Sequence, residues 1–121
     1  MHKVLISLAS NRFQKRNLQR ARHCLETLLQ APRYTSELWT LPIGSKRNDH
    51  YINQLVEAST TLGFDELCLS LKKIETDFGR TDEKRAMGIV PIDLDVLRFD
   101  DQLLHLRDWE RPYVKNLISE L

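Results

Sequence analysis

At 121 residues and 41% hydrophobic content the chain has material for one core of two packed layers and no room for a second independent domain. With 18 Lys and Arg against 17 Asp and Glu, the net charge of +1 excludes a global field that would draw in polyanions or an anionic membrane, so any phosphate binding must be local. Cys24 and Cys68 each fall in an apolar-periodic helical stretch, which excludes a disulfide framework or a Cys-x-x-Cys redox pair and makes them core residues.

The N-terminal residues, Met1 to Ser10, hold only a short apolar run and lack the pattern of a signal peptide. No stretch approaches the roughly 18 apolar residues of a membrane span, so a cytoplasmic protein is expected. Residues 3–9, rich in β-formers from Val4 to Leu8, predict a buried strand. Ser10 and Asn11 are placed to cap a helix carrying Leu18, Ala21, Leu25, Leu28 and Leu29 on one face and Arg16, Arg20 and Arg22 on the other.

Ala31-Pro32 stops that helix, and Tyr34 to Thr40 alternates as a second strand. Leu41 to His50 is a long polar loop, after which Tyr51 to Ala58 resumes a strand pattern. Gly63-Phe64-Asp65 opens a second helix with Leu67, Leu71, Ile74 and Phe78 in a stripe, and Gly79 is its C-cap. Arg80 to Pro91 is polar and punctuated by Gly and Pro, and Ile92 to Phe99 alternates strictly.

The order βαββαβ predicts an α+β, ferredoxin-like sandwich: an antiparallel sheet with helices on one face and a short C-terminal extension. That extension holds a possible strand at Gln102 to His105 and a helix from Tyr113 to Leu121 with Val114, Leu117, Ile118 and Leu121 spaced to pack. Residues 1–121 form one unit on this reading.

Asp93-Leu94-Asp95 is the sharpest chemical signal. Carboxylates at i and i+2 of a strand share one face, close enough to grip one hard cation of the magnesium type, which completes its shell with water and substrate phosphates. An amphipathic strand with a solvated acidic face gives the same spacing, so context decides between the two. His2, His23, His50 and His105 show no zinc-ligand spacing. No strand carries the aromatic platform of an RNA-recognition module.

The context is a series of short motifs: Ala9-Ser10-Asn11, Asn17-Leu18, Thr40-Leu41-Pro42-Ile43-Gly44, Tyr51-Ile52-Asn53, Ile74-Glu75 with Gly79-Arg80, Gly88, and Ile92-Asp93-Leu94-Asp95-Val96-Leu97. In order and spacing they span nearly the whole chain and resemble the 6-hydroxymethyl-7,8-dihydropterin pyrophosphokinases of folate biosynthesis. The resemblance implies magnesium-dependent transfer of the β,γ-diphosphate of ATP to the hydroxymethyl group of the pterin, with AMP leaving. It implies that Asp93 and Asp95 hold magnesium, and that Thr40, Leu41, Ile43, Tyr51 and Asn53 form the pterin site. It also places Glu75, Arg80, Lys84, Arg85 and Val96 at the ATP site, Arg80 among the catalytic groups. The partners implied are two small molecules, ATP and the pterin, with neither nucleic acid nor membrane.

Some positions depart from the family pattern. Ala9 replaces a glycine, Val90 stands where the family has a phosphate-binding arginine, Met87 replaces an aromatic, and Tyr113 replaces a histidine after Pro112. Family members also carry ATP-contacting residues past the position of Leu121. Lost cations at a phosphate site weaken transition-state stabilisation, so the resemblance equally admits a binding protein that holds pterin or nucleotide without turnover.

Overall fold

The computed structural model describes residues 1–42 and 49–121. Among the described residues six strands form one antiparallel sheet: β1 (His2–Ser10), β2 (Gln30–Tyr34), β3 (Leu38–Thr40), β4 (Tyr51–Thr60), β5 (Asp93–Phe99) and β6 (Gln102–Leu103). The sheet order is β2-β4-β1-β5-β6, with β3 paired to β4. Helices α1 (Gln14–Leu25) and α2 (Phe64–Asp77) make the two crossovers, which is the α+β, ferredoxin-like arrangement expected from βαββαβ.

β1 is the central strand, paired with β4 on one side and β5 on the other. Both of its faces are covered, which is why Val4 to Leu8 reads as a nearly unbroken apolar run. Val4, Ile6 and Leu8 point into the main core beneath α1 and α2, with Leu18, Ala21, Leu25, Leu67 and Leu71. Leu5 points to the other face, into a second cluster with Leu55, Leu97, Val114 and Leu117. The last two belong to α5 (Pro112–Ile118), which starts on Pro112, where a missing N–H costs nothing. The C-terminal extension thus covers the face that α1 and α2 leave open.

Several local expectations are corrected. The second strand is two pieces, β2 and β3, on the same edge of β4. Pro32 sits inside β2 rather than before it, because an edge strand can spare a ladder N–H. Ser10 and Asn11 do not cap α1: its N-cap is Phe13, at φ 44° and with no side-chain cap bond. Asn11 instead accepts from the Val90 N–H through Oδ1 (2.6 Å) and donates through Nδ2 to the Gly88 carbonyl (2.7 Å). The polar stretch after Gly79 contains a short helix, α3 (Asp82–Ala86), capped by the Thr81 hydroxyl, which accepts from the Lys84 N–H. One turn is too brief to show a periodicity. The expected strand at Gln102 to His105 shrinks to two residues, followed by α4 (Leu106–Trp109). The Trp109 indole N–H donates to the carbonyls of Leu97 and Leu104, and this pins α4 to the sheet.

Candidate active site

Strand register alone brings the chemistry together. Across the sheet Ala9 is opposite Asn53 on one side and Asp93 on the other, and Ser7 is opposite Leu55 and Asp95. All lie on the α5 face, and the two small side chains of β1 leave a hollow between Asn53 and the aspartates. Thr40 is opposite Tyr51, one step further along. The result is a cavity of about 180 Å³ lined by Ser7, Ala9, Thr40, Leu41, Tyr51, Asn53, Asp93, Asp95, Asp108, Arg111 and Tyr113. Six of the residues expected to form the pterin and metal sites therefore share one cavity: Thr40, Leu41, Tyr51, Asn53, Asp93 and Asp95.

Asn53 is buried, and its amide Nδ2 is committed to the Leu38 carbonyl (3.1 Å) and the Thr40 hydroxyl (2.7 Å). Asn53 lines the cavity, and its amide oxygen is a hydrogen-bond acceptor. Burial, and then the charge of Asp93, raises the Tyr51 hydroxyl above its usual range, so Tyr51 stays a neutral wall of the cavity.

Behind the aspartates α2 supplies a second layer. Its last turn ends in a Schellman closure: Gly79 at φ +92° donates to the Thr76 carbonyl, and Arg80 N–H donates to the Glu75 carbonyl. This folds Arg80 back onto Glu75. Its guanidinium reaches Glu75 at 3.0 Å and Asp93 at 2.9 Å, while Glu75 also accepts from the Leu94 N–H at 2.8 Å. Burial works against the Arg80 charge, but the hydrogen bond to Asp93 and the charges of Asp93, Glu75 and Asp95 outweigh it and hold it protonated. Burial, with Asp93 adding to it, pushes Glu75 up to about 7 against the lowering effects of the Leu94 N–H and Arg80. Asp95 is pushed up to about 6 by burial and then by Asp93, with His105 opposing from 3.9 Å.

A cluster of carboxylates that is short of cations fits a divalent hard ion. Asp93 and Asp95 present oxygen donors on one face, and the raised proton affinity of Asp95 is what a site missing positive charge displays. Among the described residues no group of three or more His, Cys, Asp and Glu side chains converges as a complete metal cage.

The other residues expected at the site take several positions. Val96 is buried in the main core and lines a second hollow that Asp95 shares, together with Phe64, Cys68, Leu71, Glu75, Leu104 and His105, so two of the residues expected at the ATP site, Glu75 and Val96, meet beside an aspartate expected to hold magnesium. Lys84 lies over Gly79 and lines a hollow on the α1 side, and Arg85 is exposed. Ile43 falls outside the described residues. Val90 is fixed by Asn11 at the mouth of β5, and Met87 is 52% exposed. Tyr113 lines the cavity, its hydroxyl pushed up to about 12 by burial and by Asp108. Ser7 was not singled out from the sequence, and neither were Asp108 and Arg111, which are joined at 3.1 Å. Their i, i+3 spacing just before Pro112 is the signal that could have found them.

The family described as 7,8-dihydro-6-hydroxymethylpterin-pyrophosphokinase matches residues 5–121. Among curated proteins, the mitochondrial folate synthesis bifunctional protein of Pisum sativum is 40% identical over 97 residues, covering 74% of this chain and 19% of that protein. The 2-amino-4-hydroxy-6-hydroxymethyldihydropteridine pyrophosphokinase of Bacillus subtilis is 34% identical over 90 residues, covering 68% of this chain and 53% of the relative. Its namesake in Aquifex aeolicus is 30% identical over 80 residues, covering 66% and 47%. The chain spans about a fifth of the plant protein's length and about half that of the bacterial relatives. A match from Leu5 to the last residue, over the strands that build the cavity, places the chain in the 7,8-dihydro-6-hydroxymethylpterin-pyrophosphokinase family.

Proposed function

We propose that the chain transfers a diphosphate from ATP to the hydroxymethyl group of 6-hydroxymethyl-7,8-dihydropterin, a step of folate biosynthesis, with magnesium bound at Asp93 and Asp95. The observation that carries the reading is the convergence of Asn53, Thr40 and Tyr51 with Asp93 and Asp95 on one cavity, beside an arginine held by Glu75.

On this reading Asn53 positions the pterin. Its amide is already anchored through Nδ2, so an N–H on the edge of a flat heterocycle meets a fixed acceptor at Oδ1. Tyr51 and Leu41 wall the ring. Magnesium bound at the two aspartates would supply charge to offset that of the phosphate oxygens. Asp93 and Asp95 would hold it, and Arg80, locked between Glu75 and Asp93, keeps Asp93 placed and adds fixed positive charge beside the pair. Arg111, paired with Asp108, also lines the cavity, where it meets the negative charge of the substrate. The rate enhancement comes from holding the hydroxymethyl oxygen in line with the attacked phosphorus together with electrostatic stabilisation of the phosphate charge.

The test follows AMP in a mixture of purified protein, ATP, magnesium and the pterin. Pterin-dependent AMP that disappears in Asp95→Ala supports the proposal. Ligand binding without AMP overturns it in favour of a binding protein.

A further inference from the structure

The opposite side of the molecule carries charge that the cavity does not use. Between residues 12 and 25 there are five Lys and Arg and no Asp or Glu. Lys15 and Arg22 are answered by Glu37. Arg12, Arg16 and Arg20, spaced at i, i+4 and i+8, are not: among the described residues no carboxylate lies within ion-pair distance of them or of Lys84. These four cations converge on a hollow of about 240 Å³ completed by Phe13, Asn17, Phe78, Ile89 and Pro91.

Two physical costs are concentrated here. Arg16 and Arg20, four apart on α1, repel, and cations at a helix start oppose the macrodipole, since the first turn of α1 has no acidic residue. Phe13, the N-cap, sits in the left-handed region at φ 44°, 62% exposed, with the Arg12 guanidinium 5.0 Å from its ring centre. Arg20 stacks on Phe78 at 4.2 Å. The aromatic contacts aim two arginines into the hollow in place of leaving them splayed in solvent. A bound polyanion turns repulsion and dipole alike into attraction.

We propose that this hollow is a second, metal-independent site for a linked phosphate anion of two or more phosphates, either an inorganic diphosphate or the tail of a nucleotide. A compact anion fits the geometry, because four cations surround one concavity. A nucleic-acid strand would need them strung along a track, and the basic stretch ends at Glu26. The site is independent of the transfer reaction: it lies on the α1 face of the sheet, whereas Asp93 and Asp95 lie on the α5 face.

Calorimetric titration of the full chain in EDTA at physiological ionic strength, with sodium pyrophosphate as probe, tests it. Wild type and Asp95→Asn bind equally. The double variant Arg12→Gln/Arg16→Gln binds at least about tenfold more weakly, and melts no lower than wild type without ligand because repulsion is relieved. Arg16→Gln alone, which removes no side-chain hydrogen bond or ion pair among the described residues, weakens binding in the same direction. ADP in place of pyrophosphate tells the sources apart: tighter binding assigns the phenylalanine walls to a base, and equal binding assigns the site to the diphosphate alone. Unchanged affinity in the double variant, loss in Asp95→Asn, or no saturable binding overturns the proposal, as does a single-stranded oligonucleotide that binds there more tightly than pyrophosphate. AMP turnover is read separately and stands or falls without it.

Discussion

Asp95 is flanked by Asp93 on its own strand, and burial first and that neighbour second hold its carboxyl at about 6, while Glu75 stands at about 7 for related reasons. A folded-state value above the ordinary carboxylate range means that the native chain binds these protons more tightly than the unfolded chain does. Their stabilising contribution is therefore full at about pH 4 and is lost as pH rises through 6 and 7. The metal-free protein is expected to melt lower at pH 8 than at pH 5.5 in a thermal shift series. Asp95→Asn flattens that slope and raises the midpoint at pH 8, while cutting turnover by about a hundredfold or more. Asp100, lowered by the His2 and Lys3 contacts, and Glu120, lowered by Ser36, act the other way, but their contribution is lost only as pH falls below about 4. Arg80→Met leaves Glu75, Asp93 and Asp95 facing one another. It should cost about 2 kcal/mol at pH 8 and clearly less at pH 5, where Glu75 and Asp95 carry protons, in urea melts at the two pH values.

At the scale of elements, two glycines set the path of the chain between α2 and β5. Gly79 and Gly88 both have positive φ, and each closes a helix with the same pair of bonds, Arg80 to Glu75 with Gly79 to Thr76, and Ile89 to Lys84 with Gly88 to Arg85. Gly79→Ala strains the left-handed residue and drives its Cβ to 2.8 Å from the Lys84 amine, which can swing away. About 1 kcal/mol or more of stability should go, and turnover should fall further than Gly88→Ala makes it fall, because Arg80 follows directly. Chemical melts and AMP assays on both variants check this. The aspartate face, the α2 stripe and the Gly79 cap were legible because each repeats a simple period or needs a special residue. α3 and α4 were not, being single turns without a period. Asn11 looked like a helix cap because Asn favours caps, but the carbonyl of Gly88 and the N–H of Val90 made a better pair of partners once the sheet had brought them close.

For the molecule as a whole, both faces of one sheet are employed. The main core under α1 and α2 carries most of the buried apolar residues, and the smaller cluster under α5 shares its face with the cavity. Leu18→Ala and Leu117→Ala should each cost about 3 kcal/mol by denaturant titration. Their activities should part company: Leu117→Ala loosens the α5 wall that bears Tyr113 and lowers turnover of the folded enzyme, and Leu18→Ala leaves it nearly unchanged. That division was not visible in sequence, where the C-terminal helix showed its spacing but not the face it would cover.

The hollow between Asn53 and the aspartates exists because β1 withholds volume at Ser7 and Ala9. A valine at position 9 would occupy the floor of the cavity, deleting no functional group and disturbing no backbone bond. Such a variant would keep every residue of the motif and still exclude the guest. Inheritance of this site therefore lies as much in atoms that stay small as in those that react, and a survey of relatives that scores only their reactive side chains would count a blocked enzyme as an open one.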